Sequence, residues 1–401
     1  MDLYIQFGYG MMNMSEYLIQ QWAGGTVILS PRDMSHEQMT KFSSKIGKHN
    51  GKVVIDPQFY IPKANHDRLI AHSFWATDYQ TAFFSKAEIN RMLSVLKNNY
   101  NDLLQSPFFI LPSLLISEVS EDWFNINDLI INEAIKSNVH ENIFGTLCLS
   151  DDVMRSEENI HQILEYTETW NLDGYYIVPQ PPKKSYLVDN PNWLINLLDL
   201  TAGLKQQGKK VIVGYSNHQM LCLALAKIDA IASGKWLNVR SFNPEKFNNP
   251  EGDGGGRRST WYYSPQALSE YQIPFLDIAN RAGMLQDLKT PENFKSDHAD
   301  VLFAGAQPSV TSYSEKNSFN HYLQCLKIQA ESAVKSSYSK TREGLRIQLE
   351  TARLLTENLN NNGVRGRDRD FSNVVDVNIS AIDVFDRLRG MIQEHLWDEL
   401  H

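Results

Sequence analysis

Lys52-Val53-Val54-Ile55-Asp56-Pro57 decides the fold. Three β-branched residues run together with no alternation of polar and apolar, which suits a strand buried on both faces, as in a parallel sheet. Pro57 disfavours helical geometry at Asp56 and fixes that carboxylate at the strand end. Lys210-Val211-Ile212-Val213 has the same form. Working outward, further short runs lie at Leu3–Phe7, Thr26–Leu29, Phe108–Leu111 (reaching toward Ile116), Ile143–Leu149, Gly174–Val178 and Ala230–Ala232. Helical patterns separate them. They lie at Ser15–Trp22, after the capping box Ser35-His36-Glu37-Gln38, from Ser85 to about Leu104, at Ile126–Lys136, at Glu157–Thr169, after Asn190-Pro191, and near Gln219–Lys227.

Strand–helix alternation argues for βα units and a parallel sheet. Eight such runs within roughly 235 residues are what a closed barrel needs. The fold expected is therefore α/β, a (β/α)8 TIM-type barrel over residues 1–241. An open doubly wound sheet would want a Gly-rich fingerprint after a strand, and Phe7-Gly8-Tyr9-Gly10 lacks its third glycine. Residues 242–314 read as a Gly/Arg-rich loop and an extension of the barrel, with 242–265 a long loop and Val301–Ala304 a short extra strand. Residues 315–401 read as a C-terminal helical hairpin, helical from Ser318 to about Asn360 and again over Ile379–Leu396. It would pack on the barrel or on a partner. The charge-alternating stretch Arg365-Gly366-Arg367-Asp368-Arg369-Asp370 reads as a salt-bridged turn between helices.

The 401 residues are 42% hydrophobic and 21% charged, enough for a large core and against global disorder. A net charge of -9 argues against a wholly basic nucleic-acid coat but leaves room for a local basic patch. No apolar run approaches the ~20 residues a membrane span needs, so no membrane partner is expected. The N-terminus MDLYIQFGYG lacks the basic and apolar regions of a signal peptide. Cys148, Cys222 and Cys325 are scattered and odd in number, which fits a reducing, cytoplasmic compartment.

In a parallel barrel the residues just after each strand converge on one rim. Here they are nearly all polar: Gly8 and Tyr9; Ser30, Arg32 and Asp33; Asp56 and Gln58; Ser113; Ser150, Asp151 and Asp152; Gln180; Tyr215, Asn217 and His218; Ser233, Lys235 and Arg240. Asp56 is the first candidate for a catalytic carboxylate, with Asp151 and His218 beside it. Tyr9, Arg32, Gln58, Gln180, Lys235 and Arg240 are candidates for substrate binding. Several have a plainer reading. Asp33 or Ser35, and one of Asp151 and Asp152, are helix caps, and so is Ser216. His218 is either a general base titrating near neutrality or a histidine in a helix's first turn. These acids and His218 are of types that suit Mg or Zn, but no signature such as H-E-x-x-H accompanies them, so no metal is assigned and no cofactor is named.

The second feature is Gly252-Asp253-Gly254-Gly255-Gly256-Arg257-Arg258-Ser259-Thr260-Trp261-Tyr262-Tyr263. Glycines admit an anion to the backbone, Arg257 and Arg258 supply phosphate donors, and Trp261 offers a stacking face. It reads as a loop closing over a phosphorylated or nucleotide ligand, or else as a linker whose aromatics dock on the core.

The unit Val211-Ile212-Val213-Gly214-Tyr215 through Leu221, Ala224 and Ile228-Asp229-Ala230-Ile231-Ala232-Ser233-Gly234 resembles the seventh-to-eighth strand unit of tRNA-guanine transglycosylases over about 30 residues. The resemblance implies a barrel that binds or exchanges a purine-like base in a nucleic acid. Asp229 matches the family's first aspartate. The position of its nucleophile holds Ala232, and the family's cysteine-rich zinc site is absent. The resemblance therefore carries the fold and a base-like ligand, not the base-exchange mechanism. Two functions are expected from the whole. One is a barrel enzyme acting on a nucleotide, nucleobase or nucleic acid by transglycosylase- or hydrolase-like chemistry with a rim carboxylate. The other is an inactive barrel that binds nucleic acid, or a protein partner or a second copy through residues 315–401, within an assembly.

Overall fold

A computed structural model of the chain describes residues 1–76, 85–249, 259–294 and 296–400. Its strands are β1 (Asp2–Gln6), β2 (Gly25–Leu29), β3 (Gly51–Ile55), β4 (Phe109–Ile110), β5 (Leu115–Ile116), β6 (Ile143–Leu149), β7 (Gly174–Pro179), β8 (Lys210–Val213), β9 (Ala230–Ser233), β10 (Trp261–Ser264) and β11 (Ser269–Gln272). The helices through the barrel are α1 (Met12–Gln21), α2 (His36–Gly47), α3 (Asp67–Ile70), α4 (Lys86–Val95), α5 (Asp102–Leu104), α6 (Glu121–Lys136), α7 (Asp151–Met154), α8 (Glu157–Thr169) and α9 (Pro191–Gln206). Beyond it come α10 (Ile273–Arg281), α11 (Glu315–Ala333), α12 (Tyr338–Asn361) and α13 (Val375–Leu396).

Eight strands lie side by side in the order β3-β2-β1-β9-β8-β7-β6-β4, each neighbouring pair parallel. This is a TIM-type α/β barrel that stops just short of closure. Among the described residues no ladder joins β3 to β4; instead Leu115 N donates to Tyr60 O at 2.9 Å and ties the segment after β3 to β5. The expected fourth strand is broken because Pro112 has no N–H to give a ladder. Its second piece, β5, pairs with β6 further along, Leu115 opposite Cys148. The unalternating apolar runs have the cause anticipated for them: every residue of β6 and β7 is buried, barrel interior on one side and helices on the other.

Four local expectations are corrected. The helix expected over Gln219–Lys227 is a 3-10 helix, His218–Ala226, capped by Asn217 rather than Ser216, whose hydroxyl donates to Val213 O. Trp261–Ser264, expected within a loop, is strand β10 of an antiparallel hairpin with β11. Val301–Ala304 is not a strand; Asp297–Phe303 winds as a 3-10 helix. The C-terminal region holds three helices, not two, because Ser337 caps a new helix after a break at residues 334–337.

α13 lies on α9: Arg389 donates to Asp199 Oδ1 at 2.7 Å and to Gln206 Oε1 at 2.9 Å. Lys227 Nζ donates to the Trp397 carbonyl at 2.5 Å. The C-terminal helices thus cover this chain's own barrel. Residues of the extension build a second, smaller core around Tyr262, Tyr271, Leu276, Leu288 and Leu302. Among the described residues no helix is long and apolar enough to cross a membrane.

Candidate active site at the barrel mouth

Asp56 stands one residue beyond β3 and is wholly buried. Its Oδ1 accepts the Gln58 N–H at 2.9 Å. Its Oδ2 accepts three phenols: Tyr60 at 2.6 Å, Tyr176 at 3.3 Å and Tyr215 at 3.4 Å. Burial pushes its pKa up to about 6, against the pull of the hydrogen bonds from Tyr60, Gln58, Tyr176 and Tyr215. Burial first, and then the Asp56 charge, hold all three phenols well above their usual pKa. They stay protonated, so they act as hydrogen-bond donors. A carboxyl poised near neutrality inside a ring of fixed donors has the make-up of a general acid–base centre.

The backbone is bent to build this ring. Gln58 and Tyr215 have φ of 54° and 51°, left-handed values that cost a non-glycine residue about 1 kcal/mol or more. The turn at Gln58 puts its N–H on Asp56 and its side-chain amide on Tyr215 Oη at 3.1 Å. Its carbonyl oxygen accepts Ser30 Oγ and the Arg32 N–H, and Ser30 also donates to Asp33, the ion-pair partner of Arg32 at 2.8 Å. Asp33 is therefore part of the site's scaffold, while Ser35 is the cap of α2. Gly214 is required by contact: a methyl group there would lie 2.4 Å from the Tyr176 hydroxyl. Gly214→Ala should displace Tyr176 from Asp56 and lower stability by about 1–3 kcal/mol, measurable by urea unfolding.

The mouth is capped by the segment 235–249. Phe242 packs edge-on against Tyr60 and Tyr215 at ring separations of 5.3 and 5.2 Å, and Phe247 against Tyr60 at 5.4 Å. Arg32 lies over Phe247 and donates to the Lys246 carbonyl. The same segment lends Lys235, Trp236 and Lys246 to an open cleft of about 690 Å³, completed by Trp261, Phe319 and Arg369. One short strap thus seals Asp56 on one side and lines a cationic, aromatic cleft on the other.

Behind that cleft Glu270 of β11 is buried, accepting Arg369 at 2.9 Å, Arg240 at 3.2 Å and the Tyr186 hydroxyl at 2.7 Å. Burial alone would raise its pKa, but Arg369 and Arg240 outweigh it and hold it at about 2.

The structure brings Asp56, Arg32 and Gln58 together at the mouth and Lys235, Arg240 and Trp261 together around the cleft. It does not bring Asp151 or His218 to Asp56. Asp151 starts α7 and pairs with Arg155 at the surface, with Ser150 as the cap. His218 is buried against Tyr263, Phe371 and Tyr186, and burial lowers its pKa to about 4, so it is neutral and faces the extension. Tyr9 is 65% exposed, and its carbonyl accepts the Trp236 indole N–H. The Gln180 carbonyl takes the Trp193 indole N–H. Arg257 and Arg258 lie outside the described residues. Tyr60, Tyr176, Phe319 and Arg369 are functional candidates that sequence reasoning missed. Among the described residues no three His, Cys, Asp or Glu side chains form a metal-ligand group.

No family model matches this chain, and no curated protein matches it. Among solved structures it is similar to a D-psicose 3-epimerase from Clostridium cellulolyticum H10, solved with D-tagatose, at 10% identity and a TM-score of 0.29, covering 59% of this chain and 86% of that one. It is also similar to a GH20 β-N-acetylhexosaminidase from Streptomyces coelicolor A3(2), at 9% identity and a TM-score of 0.28, covering 53% of this chain and 46% of that one. Likeness at this level is no guide to substrate or reaction.

Proposed function

We propose that this protein is a barrel enzyme acting on a nucleotide, nucleobase or nucleic-acid substrate by hydrolase- or transglycosylase-like chemistry, with Asp56 as its acid–base carboxylate. The observation that carries the reading is the convergence of three neutral phenols on one buried carboxylate whose pKa is about 6. Above that pH, Asp56 takes a proton from an attacking water or hydroxyl. The protonated carboxyl then returns it to the leaving group, while Tyr60, Tyr176 and Tyr215, whose single O–H protons go to Asp56 Oδ2, hold the carboxyl in place. Support for a base-bearing substrate comes from the resemblance of residues 211–234 to the transglycosylase strand unit and from the Trp236–Trp261 cleft above the mouth. Ala232 is buried and carries no nucleophile, so the carboxylate at Asp56 takes the chemical role instead.

A second reading has its own observation: Asp56 is fully sealed beneath Phe242 and Phe247, as in a barrel that binds without turning over. The test is a panel of nucleosides, nucleotides and short oligonucleotides incubated with the full chain, with products resolved chromatographically. Release of a base or phosphate is expected, at a rate that falls as pH drops below about 6. Binding without product at any pH would favour the second reading.

A further inference from the structure

Gln6 ends β1 and is wholly buried. Its side chain reaches through the barrel interior to β7, where the Tyr176 hydroxyl donates to Gln6 Oε1 at 3.0 Å. The same hydroxyl stands 3.3 Å from Asp56 Oδ2. A phenol has one proton to give, so Tyr176 faces two acceptors, a neutral amide oxygen and the carboxyl, and the amide has the shorter contact. Gln6 Nε2 is buried with no acceptor among the described residues. An unmet buried N–H costs free energy, so an apolar side chain of similar volume would pack here at least as well. What glutamine supplies at this position is an acceptor for Tyr176.

Hydrogen bonds to a charged acceptor are stronger than neutral ones. A charged Asp56 therefore draws the Tyr176 proton to itself, and a protonated Asp56 leaves it to Gln6. We propose that Gln6 is a positioning residue for Asp56, acting through Tyr176: it takes up the phenol proton when the carboxyl is protonated and yields it when the carboxyl is charged. The role deepens the reading of Asp56 as the acid–base carboxylate and rests on it. The other groups facing Asp56 act differently. Tyr60 and Tyr215 give it their own protons, and Gln58 gives its backbone N–H. Cys148 of β6 is a thiol kept neutral by burial and then by the Asp56 charge. Arg32, whose charge reaches Tyr215, is held in its ion pair with Asp33.

Carbon NMR of the intact protein carrying carboxyl-labelled (¹³C) aspartate, with Asp56 assigned by the signal lost in Asp56→Asn, reads the titration directly. The wild-type midpoint should lie at about 6. Gln6→Met removes a hydrogen bond from the protonated state and none from the charged state. It should lower the midpoint by about half a unit to one unit. Loss of a polar neighbour by itself would raise the midpoint instead. Gln6→Leu should shift it the same way as Gln6→Met, so a packing fault peculiar to one variant does not decide the result. Tyr176→Phe should raise the midpoint by about one unit, and Gln6→Met should add no downward shift in that background. An unchanged or raised midpoint in Gln6→Met and Gln6→Leu, or a downward shift that persists in Tyr176→Phe, overturns the proposal. A midpoint that moves as expected, in a protein that turns over no nucleoside, nucleotide or oligonucleotide, leaves the Gln6–Tyr176 pair in control of the Asp56 proton and removes the enzymatic reading. Turnover whose pH dependence is the same in Gln6→Met and wild type does the opposite.

Discussion

Asp56→Asn should abolish turnover while leaving the protein at least as stable above pH 7. Removing a positioned general base costs about 10²- to 10⁴-fold in rate. The stability half of the expectation follows from linkage. The folded pKa of Asp56 is raised from 3.8 to about 6. Its favourable contribution is therefore fully present below about 4 and is lost as pH rises through about 6. That rise corresponds to about 3 kcal/mol by which the charged carboxylate destabilises the fold at pH 8. Asparagine keeps the shape and a carbonyl acceptor for the phenols and carries no charge, but its NH2 then faces the Gln58 N–H, which offsets part of the gain. Urea unfolding from pH 4 to 8 should thus show a flatter profile for the variant. A carboxylate that merely held tyrosines in place would instead lose stability at pH 8 on substitution. An active variant would remove Asp56 from the chemistry.

The strands were legible because a buried parallel strand writes an unbroken apolar run, and Val53-Val54-Ile55 and Val211-Ile212-Val213 do so. Asp56 was legible because Pro57 leaves it no role as a helix cap. Tyr176 was not, because it lies within β7 and points into the barrel; reading only the residues after each strand passes over it. Trp261-Tyr262-Tyr263 was read for stacking chemistry, yet aromatic runs are also strand formers, and Tyr262 and Tyr263 are core residues of the β10–β11 hairpin. The salt-bridged reading of residues 365–370 holds in kind: Arg369 pairs with Glu270. Its partner lies 99 residues away, a pairing that no local pattern encodes. His218 follows a strand like the other rim residues, but the 3-10 helix it begins turns its ring away toward the extension.

Glu270→Gln should cost about 3–5 kcal/mol, the loss seen when one partner of a buried ion cluster is removed. Glu270 is the sole carboxylate bonded to both Arg240 and Arg369 among the described residues, and it joins three parts of the chain: the barrel end, the β10–β11 hairpin and the turn before α13. Glutamine keeps an acceptor for Tyr186 but leaves two guanidinium charges buried together. The folded pKa of Glu270 is depressed from 4.5 to about 2. Its contribution is thus present above about 4.5 and lost as pH falls through about 2, so wild type and variant should converge only in strong acid. Arg369→Gln should cost less, because the Arg240–Glu270 pair survives it. Both arginines also line the cleft, so an anion bound there can replace part of the missing charge. Inorganic phosphate should therefore raise the unfolding temperature of Glu270→Gln more than that of wild type. Equal unfolding free energies for variant and wild type at pH 7 would show that the cluster does not hold the extension to the barrel. Equal phosphate shifts would show that the cleft's arginines do not meet the anion.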